Sequence, residues 1–336
     1  MTGGRHARPY IIAEIASAHE GNPDLAERLY RLAAETGADA VKFQIFRRDA
    51  LLCHHHPKYA SFGEIEMSAA AWRRLLQVAA ELPPDLMVEV FDEESLALAE
   101  ESGAVAAYKV PTSDLGNLPF LQRLAATGKP LHLGVGGAML DEIDAAVACL
   151  RQAGAGERLV LMHGIQSFPT RLEDSHLAWI PSLLRRYGVP VGYADHVDAE
   201  EREWARLLPA MAVAVGARVI EKHLTDDRSR KGRDYYSSLE PAEFRSFVAL
   251  LRQLPVALGG GDGVLGDAGT AYRYLMKRQA VAARPIGAGA PLQAGDVVFK
   301  RTGRAGLAPL EMTQLYGRAV GRDIAADEPI TREDLA

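Results

Sequence analysis

Two histidines close consecutive apolar runs in this chain. His196 ends GYADH at 192–196, after Val189-Pro190-Val191, and His223 ends VIEKH at 219–223. Imidazole is the commonest side-chain ligand for transition metals. On neighbouring strands, about 4.8 Å apart, two imidazoles reach one ion. A metal held by two histidines, with open positions left over, polarises a bound oxygen as a Lewis acid. The competing reading is two buried histidines satisfied by backbone groups. Lys42 and Lys109 raise a related question. Each emerges from an apolar run, in AVKFQ and AYKVP, where an ammonium is costly unless an anion meets it. Two such lysines facing one cavity point to a carboxylate or phosphate ligand. Ion pairs with Glu14 and Glu89 are the structural alternative.

These residues need elements to aim them, and the chain repeats one pattern. A helix-like stretch ends near a glycine and a short apolar or β-branched run follows, as in AAETGADAVKFQ, AATGKPLHLGVG and RRYGVPVGYADH. Gly37, Gly103, Gly128, Gly154, Gly188 and Gly216 stand where a helix terminus requires a left-handed residue. The runs after them are continuously apolar, as parallel strands covered on both faces are. Eight strands are expected at 10–16, 40–45, 86–91, 104–111, 131–136, 159–165, 189–194 and 218–224. One helix, DLAERLYRLAAET, is expected to bury Leu25, Leu29, Leu32 and Ala33. Eight strands alternating with helices over residues 1–255 read as a (β/α)8 barrel rather than a doubly wound sheet, because no GxGxxG follows the first strand.

In such a barrel, polar residues at strand C-termini are catalytic candidates. Read in order they are Glu14 and His19, Lys42 and Gln44, Glu89, Lys109 and Thr112, His163 and Gln166, Asp195 and His196, and Glu221, Lys222 and His223. CHHHPKY at 53–59 mimics a metal motif but is expected to be an exposed loop, since three adjacent side chains cannot all turn inward without strain. DRSRKGR at 227–233 and Tyr235-Tyr236 read as a flexible loop able to cover substrate.

A glycine-rich linker is expected over 256–275, LPVALGGGDGVLGDAGT marking its start. Beyond it, over 276–336, lies a small β-rich domain with an internal repeat. ARPIGAGAPLQAGDV at 283–297 matches GRDIAADEPITREDL at 321–335, aligning Arg284 with Arg322, Ile286 with Ile324 and Asp296 with Asp334. The 336 residues carry a net charge of −6 and no basic block, which argues against nucleic acid. No apolar run approaches the ~18 residues that span a bilayer. The polar N-terminus is not a signal peptide. Cys53 and Cys149 form neither a CxxC motif nor a disulfide framework, so a reducing cytoplasm is the expected compartment.

Along essentially the whole chain these residues resemble the sialic acid synthases and their pseudaminate, legionaminate and spore-coat relatives. The segments are YIIAEIASAHEG, GADAVKFQ, FDEES, AYKVPTSDLGNLP, FPTRLEDSHL, PVGYADH, VIEKHLTDDR and GRDYYSSLEP. VAARPIGAGAPL, FKRTGRAGLAP and LYGRAVGRDI look like that family's antifreeze-like, or SAF, domain. The resemblance implies a (β/α)8 barrel followed by a SAF domain, in a domain-swapped homodimer. It implies condensation of phosphoenolpyruvate with an N-acetylated amino-sugar aldehyde, giving a 2-keto-3-deoxy sugar acid. A divalent ion, commonly manganese, with magnesium or cobalt as alternatives, would sit on His196 and His223. Glu14 would touch the sugar or the attacking water. Lys42, Gln44 and Lys109 would bind phosphoenolpyruvate. Asp234 would lie near metal and sugar, and Arg301 of the partner subunit would reach the sugar. Thr112, Gln166, Phe168 and Asp195 stand in segments where the family binds substrate.

The departures bear on the donor. The family's threonine after strand three is Glu89, its strand-five serine is Gly134, and its strand-six asparagine is Gln166. The nearby tyrosine is Phe168, and the serine before the metal motif's aspartate is Ala194. A phosphate needs several donors, and a carboxylate in the same pocket repels it. A second reading is therefore an aldolase or lyase of the same barrel that uses pyruvate or another unphosphorylated oxo-acid, with Glu89 as general base. A third is a non-catalytic sugar-binding protein, against which both histidines, both lysines and Asp234 argue.

Overall fold

The computed structural model describes residues 8–167, 169–260, 263–304 and 306–336. The chain divides into two compact units between Gly259 and Gly260. In the first, eight parallel strands close into a barrel. They are β1 (Tyr10–Ala16), β2 (Ala40–Ile45), β3 (Asp85–Val90), β4 (Val105–Val110), β5 (Leu131–Gly134), β6 (Leu159–His163), β7 (Val191–Asp195) and β8 (Val219–Leu224). Each pairs with the next, and β8 returns to β1 through a register that sets Glu14 opposite His223. A two-residue strand, β9 (Ser238–Leu239), adds to β8. The expected strands and the observed ones agree to within two residues at every end, the largest differences being the shorter C-terminal ends of β5 and β6 and the later start of β7.

Helices 23–34, 69–80, 93–101, 118–126, 140–152, 179–187, 204–214 and 241–258 cover the outside. Several starts are written locally. The Asn22 side chain accepts from the amides of Asp24 and Leu25, Ser68 from Ala71, and Asp92 from Ser95. All six glycines expected at helix termini adopt positive φ, the region only glycine enters at no steric cost. The first helix turns its stripe slightly from expectation. It buries Ala26, Leu29, Tyr30 and Ala33, while Leu25 and Leu32 are only half-buried. On this stripe the Tyr30 hydroxyl donates to the carbonyl of Pro84 at 3.1 Å.

Strand parity sorts the side chains. Ile11, Val41, Val88, Tyr108, Leu133, Leu161, Tyr193 and Ile220 face outward and pack under the helices. Ile12, Ala40, Met87, Met162, Ala194 and Val219 face the barrel interior and form a separate apolar cluster. The polar residues of the site continue that inner row upward.

The C-terminal unit has its own core of Ala280, Ala282, Ile286, Leu292, Leu307, Met312, Leu315, Val320, Ile324, Ile330 and Leu335. Its only two-stranded ladder among the described residues pairs β10 (Gln279–Ala282) with β11 (Val297–Lys300). Part of the expected linker is a helix, Asp267–Met276, none of whose residues is buried. Its acidic first-turn residue, Asp267, and basic last-turn residue, Arg273, suit a helix better than the composition of 254–270 conveys. Among the described residues no helix is long and apolar enough to cross a membrane.

Candidate active site

The inner row of the barrel carries an ion cluster. Glu221 on β8 holds two ammoniums: Lys42 Nζ lies 3.2 Å from Oε1, and Lys109 Nζ lies 3.2 Å from both carboxylate oxygens. Lys42 also meets Glu14 Oε2 at 2.8 Å and Glu89 Oε2 at 3.6 Å. Gln44 donates to the same Glu89 oxygen at 2.7 Å. All five charged side chains are at least 97 % shielded from solvent. Such charges survive burial only as a network. The network also sets their protonation. Burial pushes the Glu221 carboxyl up, but the ammoniums of Lys109 and Lys42 outweigh it and hold it below the ordinary carboxylate range. Burial lowers both lysines. At Lys109 the carboxylates of Glu221 and Glu89 overcome it and raise the ammonium, whereas Lys42, also facing Lys109, ends below the ordinary value.

Above this cluster stand the two histidines, their ring centroids 5.3 Å apart. Burial holds His196 down at about 3 and places His223 well below the ordinary histidine value, so both are neutral at pH 7, the form in which imidazole ligates a metal. One Glu14 oxygen, Oε1, is buried without a hydrogen-bond partner. Two neutral imidazoles beside that carboxylate fit a divalent ion that keeps open positions. Among the described residues no group of three His, Cys, Asp or Glu side chains is assembled to hold an ion by itself. The other positions would fall to water or substrate.

A cavity of about 690 Å³ opens onto this floor. Glu14, Lys42, Gln44, Gln166, His196, Glu221, His223 and Asp234 line it. Its outer wall includes Lys58 from the loop after β2, and Lys231, Arg233, Tyr235 and Tyr236 from the segment after β8. Asp234 is held in a left-handed conformation and accepts from the Ser17 amide at 3.1 Å. Burial raises its carboxyl. The segment 227–236 is less loose than its composition implies. Arg228 is buried and anchored on Glu200 at 3.1 Å, on Glu243 and on the Ser238 carbonyl at 3.2 Å. The 53–59 loop is largely exposed, as its three adjacent histidines led us to expect.

Not every strand-end candidate reaches the cavity. Asp195 and Lys222 point outward and pair with each other at 2.6 Å, wholly buried behind the wall, with the Tyr193 hydroxyl donating to Asp195 at 3.1 Å. Asp195 is thus a wall residue and not a cavity-lining one. His163 also faces outward, toward the Ser175 carbonyl at 3.0 Å, and His19 packs edge-on against Trp72. Thr112 sits in the turn after β4, against Gly134. Phe168 lies outside the described residues. Arg301 is exposed in the C-terminal unit. One inward residue escaped sequence reading. His132 on β5 pairs in register with Lys109, is 94 % buried, and leaves Nδ1 without a hydrogen-bond partner. Burial, with Lys109 nearby, holds it down at about 3. Its signal was parity: in LHLG, His132 and Gly134 share a face.

The comparisons with known proteins agree with the fold. The model of the NeuB family matches residues 29–263, and that of the SAF domain matches residues 277–336. The N,N'-diacetyllegionaminic acid synthase of Legionella pneumophila is 30% identical over 97% of this chain and 94% of its own. Among solved structures, a putative spore coat polysaccharide biosynthesis protein E from Chromobacterium violaceum is 28% identical, with TM-score 0.85 over 98% of this chain and 99% of its own. The N-acetylneuraminic acid synthetase of Leptospira borgpetersenii is also 28% identical, with TM-score 0.73 over 81% of this chain and 93% of its own. With the NeuB model matching more than half of the chain and the SAF model matching the small domain, the chain belongs to the NeuB family and is an enzyme of the sialic acid synthase type.

Proposed function

We propose that this enzyme condenses a three-carbon donor, phosphoenolpyruvate or a related oxo-acid, with an amino-sugar aldehyde to give a 2-keto-3-deoxy sugar acid. One observation carries the reading: Lys42, Glu221 and two neutral histidines line one cavity, with Lys109 paired to Glu221 from behind. Buried ammoniums stabilise the negative charge that develops on a donor's carboxylate and enol oxygen, because little water screens them. His196 and His223 would hold a divalent ion, manganese being the expected one, whose Lewis acidity polarises an aldehyde oxygen. Glu14, beside both Lys42 and His223, is positioned to orient a sugar hydroxyl or a water. Asp234, raised by burial, faces the same space from the rim.

The test uses the purified full chain with manganese, a panel of N-acetylated amino sugars, and phosphoenolpyruvate or pyruvate. Mass spectrometry is expected to show a new sugar acid carrying three extra carbons, lost on adding a chelator. No product from any donor and acceptor pair would refute the reading. Replacing both histidines by alanine is expected to abolish product and to weaken manganese binding, read by calorimetry, at least tenfold.

A further inference from the structure

We propose that the donor subsite takes an unphosphorylated 2-oxo acid, of which pyruvate is the smallest, and that Glu89 is the base that removes its C3 proton. The proposal rests on the synthase reading above and names the donor for that same site. Three observations carry it. The first is charge. The buried cluster holds three carboxylates, Glu14, Glu89 and Glu221, against two ammoniums, Lys42 and Lys109. A phosphate group adds a charge of about −1.5 to −2 to the donor's own carboxylate, so phosphoenolpyruvate asks the two ammoniums, and a divalent ion on the histidines, to offset more charge among three carboxylates. A single carboxylate asks far less of them. The cations Lys58, Lys231 and Arg233 stand at the rim with Glu20 and Asp234, at the acceptor's end.

The second observation is the opposite wall. The inward positions of β5 to β7 near the mouth are Gly134, Gly164 and Ala194. A Cβ at Gly134 would lie 2.9 Å from the Thr112 amide nitrogen and 3.0 Å from the Val110 carbonyl. One at Gly164, where φ is +141°, would lie 2.0 Å from the Ala194 carbonyl. Side-chain hydroxyls that would cradle a phosphate have no room at these two glycines, and Ala194 offers none.

The third is Glu89 itself. One oxygen, Oε2, is fixed by Gln44 and Lys42. The other, Oε1, is buried and has no hydrogen-bond partner. A carboxylate oriented through one oxygen, with the second bare and ammoniums close by, is built to take a proton from carbon and leave the charge on an adjacent oxygen.

The step balances. The C3–H bond of the oxo-acid breaks and its proton passes to Glu89. The electron pair forms the C2–C3 double bond, and the C2 carbonyl becomes an enolate oxygen facing the lysines. C3 then bonds to the aldehyde carbon, the C2 carbonyl re-forms, and the aldehyde oxygen takes up one proton. No group leaves, and nothing is oxidised or reduced. The product is a 4-hydroxy-2-oxo acid, the same carbon skeleton that the proposed function requires.

The first arm of the test incubates the full chain with manganese and pyruvate in D2O, with and without the amino-sugar panel, and weighs the recovered pyruvate. Deuterium is expected at C3 at least tenfold faster than with metal alone, and the Glu89→Gln variant is expected to fall to that background while binding pyruvate within threefold of wild type. The second arm is calorimetric. Wild type is expected to bind pyruvate at least tenfold tighter than phosphoenolpyruvate, and Glu89→Thr to reverse the order. Phosphate release from phosphoenolpyruvate, or tighter binding of it by wild type, overturns the donor assignment and leaves the synthase reading standing. Neither exchange, nor phosphate release, nor product overturns both.

Discussion

At the scale of single residues, Glu221 decides more than the two glutamates that the sequence offers as partners of the lysines. Lys42 and Lys109 are recognisable from their place at the end of apolar runs, and the question they raise is which anion meets them. Glu14 and Glu89 are the sequence's candidates. The structure shows that Glu221 bridges both lysines, with Glu14 and Glu89 touching Lys42 alone. Spacing along the chain cannot reveal this, because the bridge joins strands far apart in sequence. Removing one partner of a buried ion network leaves an uncompensated charge, at a cost of about 3–5 kcal/mol. We therefore expect Glu221→Gln to lose stability of that order in urea unfolding at pH 7. A loss below about 1 kcal/mol would mean that Glu14 and Glu89 suffice for both ammoniums. His132 was missed for a related reason: it stands inside the strand expected over 131–136 and not at its C-terminal end, and its inward face is set by the register with Lys109.

At the scale of elements, the barrel was readable because each glycine at a helix end and each apolar run after it reports a local rule. Which way a strand-end side chain points was not, because it depends on parity carried up from the strand below. Asp195 shows the consequence. As the neighbour of His196 it reads as a site residue, yet one position along a strand is the difference between cavity and wall. On the wall it pairs with Lys222, which precedes His223. The pair thus clamps β7 to β8 directly behind the two histidines. Asp195→Ala is expected to destabilise the fold by about 3–5 kcal/mol, since it strands a buried ammonium. The double variant Asp195→Leu with Lys222→Met is expected to recover most of that loss, because apolar groups of similar volume replace an ion pair at little cost. Urea titration of the wild type, both single variants and the double variant measures the coupling. A double variant as unstable as the sum of the singles would remove the pair as the explanation.

At the scale of the whole molecule, the two units keep their stability by different means. The barrel has a large apolar core, whereas the C-terminal unit has a core cluster of eleven buried apolar residues among its described positions and leans on a repeated polar device. In the first copy of the repeat, Asp296 accepts from Arg284 at 2.8 Å and from the Gln293 amide at 3.0 Å. In the second, Asp334 accepts from Arg322 at 2.6 Å and from the Thr331 amide at 2.7 Å. Ile286 and Ile324, also matched in the repeat, bond to each other across the centre. The aligned residues thus do the same work twice, which is why the repeat was visible at all. At Asp296 the Arg284 guanidinium holds the carboxyl below its ordinary range. At Asp334 burial pushes upward, but the Thr331 donors and Arg322 outweigh it. A carboxyl whose folded value is depressed contributes stability above its unfolded value, about 3.9, and loses it as pH falls through the folded value. Each aspartate also acts as a turn cap, worth about 1–2 kcal/mol. Calorimetry of the full chain is therefore expected to show Asp296→Asn and Asp334→Asn lowering the C-terminal unit's transition at pH 7, with the gap to wild type closing toward pH 3. A gap that persists undiminished at pH 3 would show that the carboxylate charge is not what the repeat preserves.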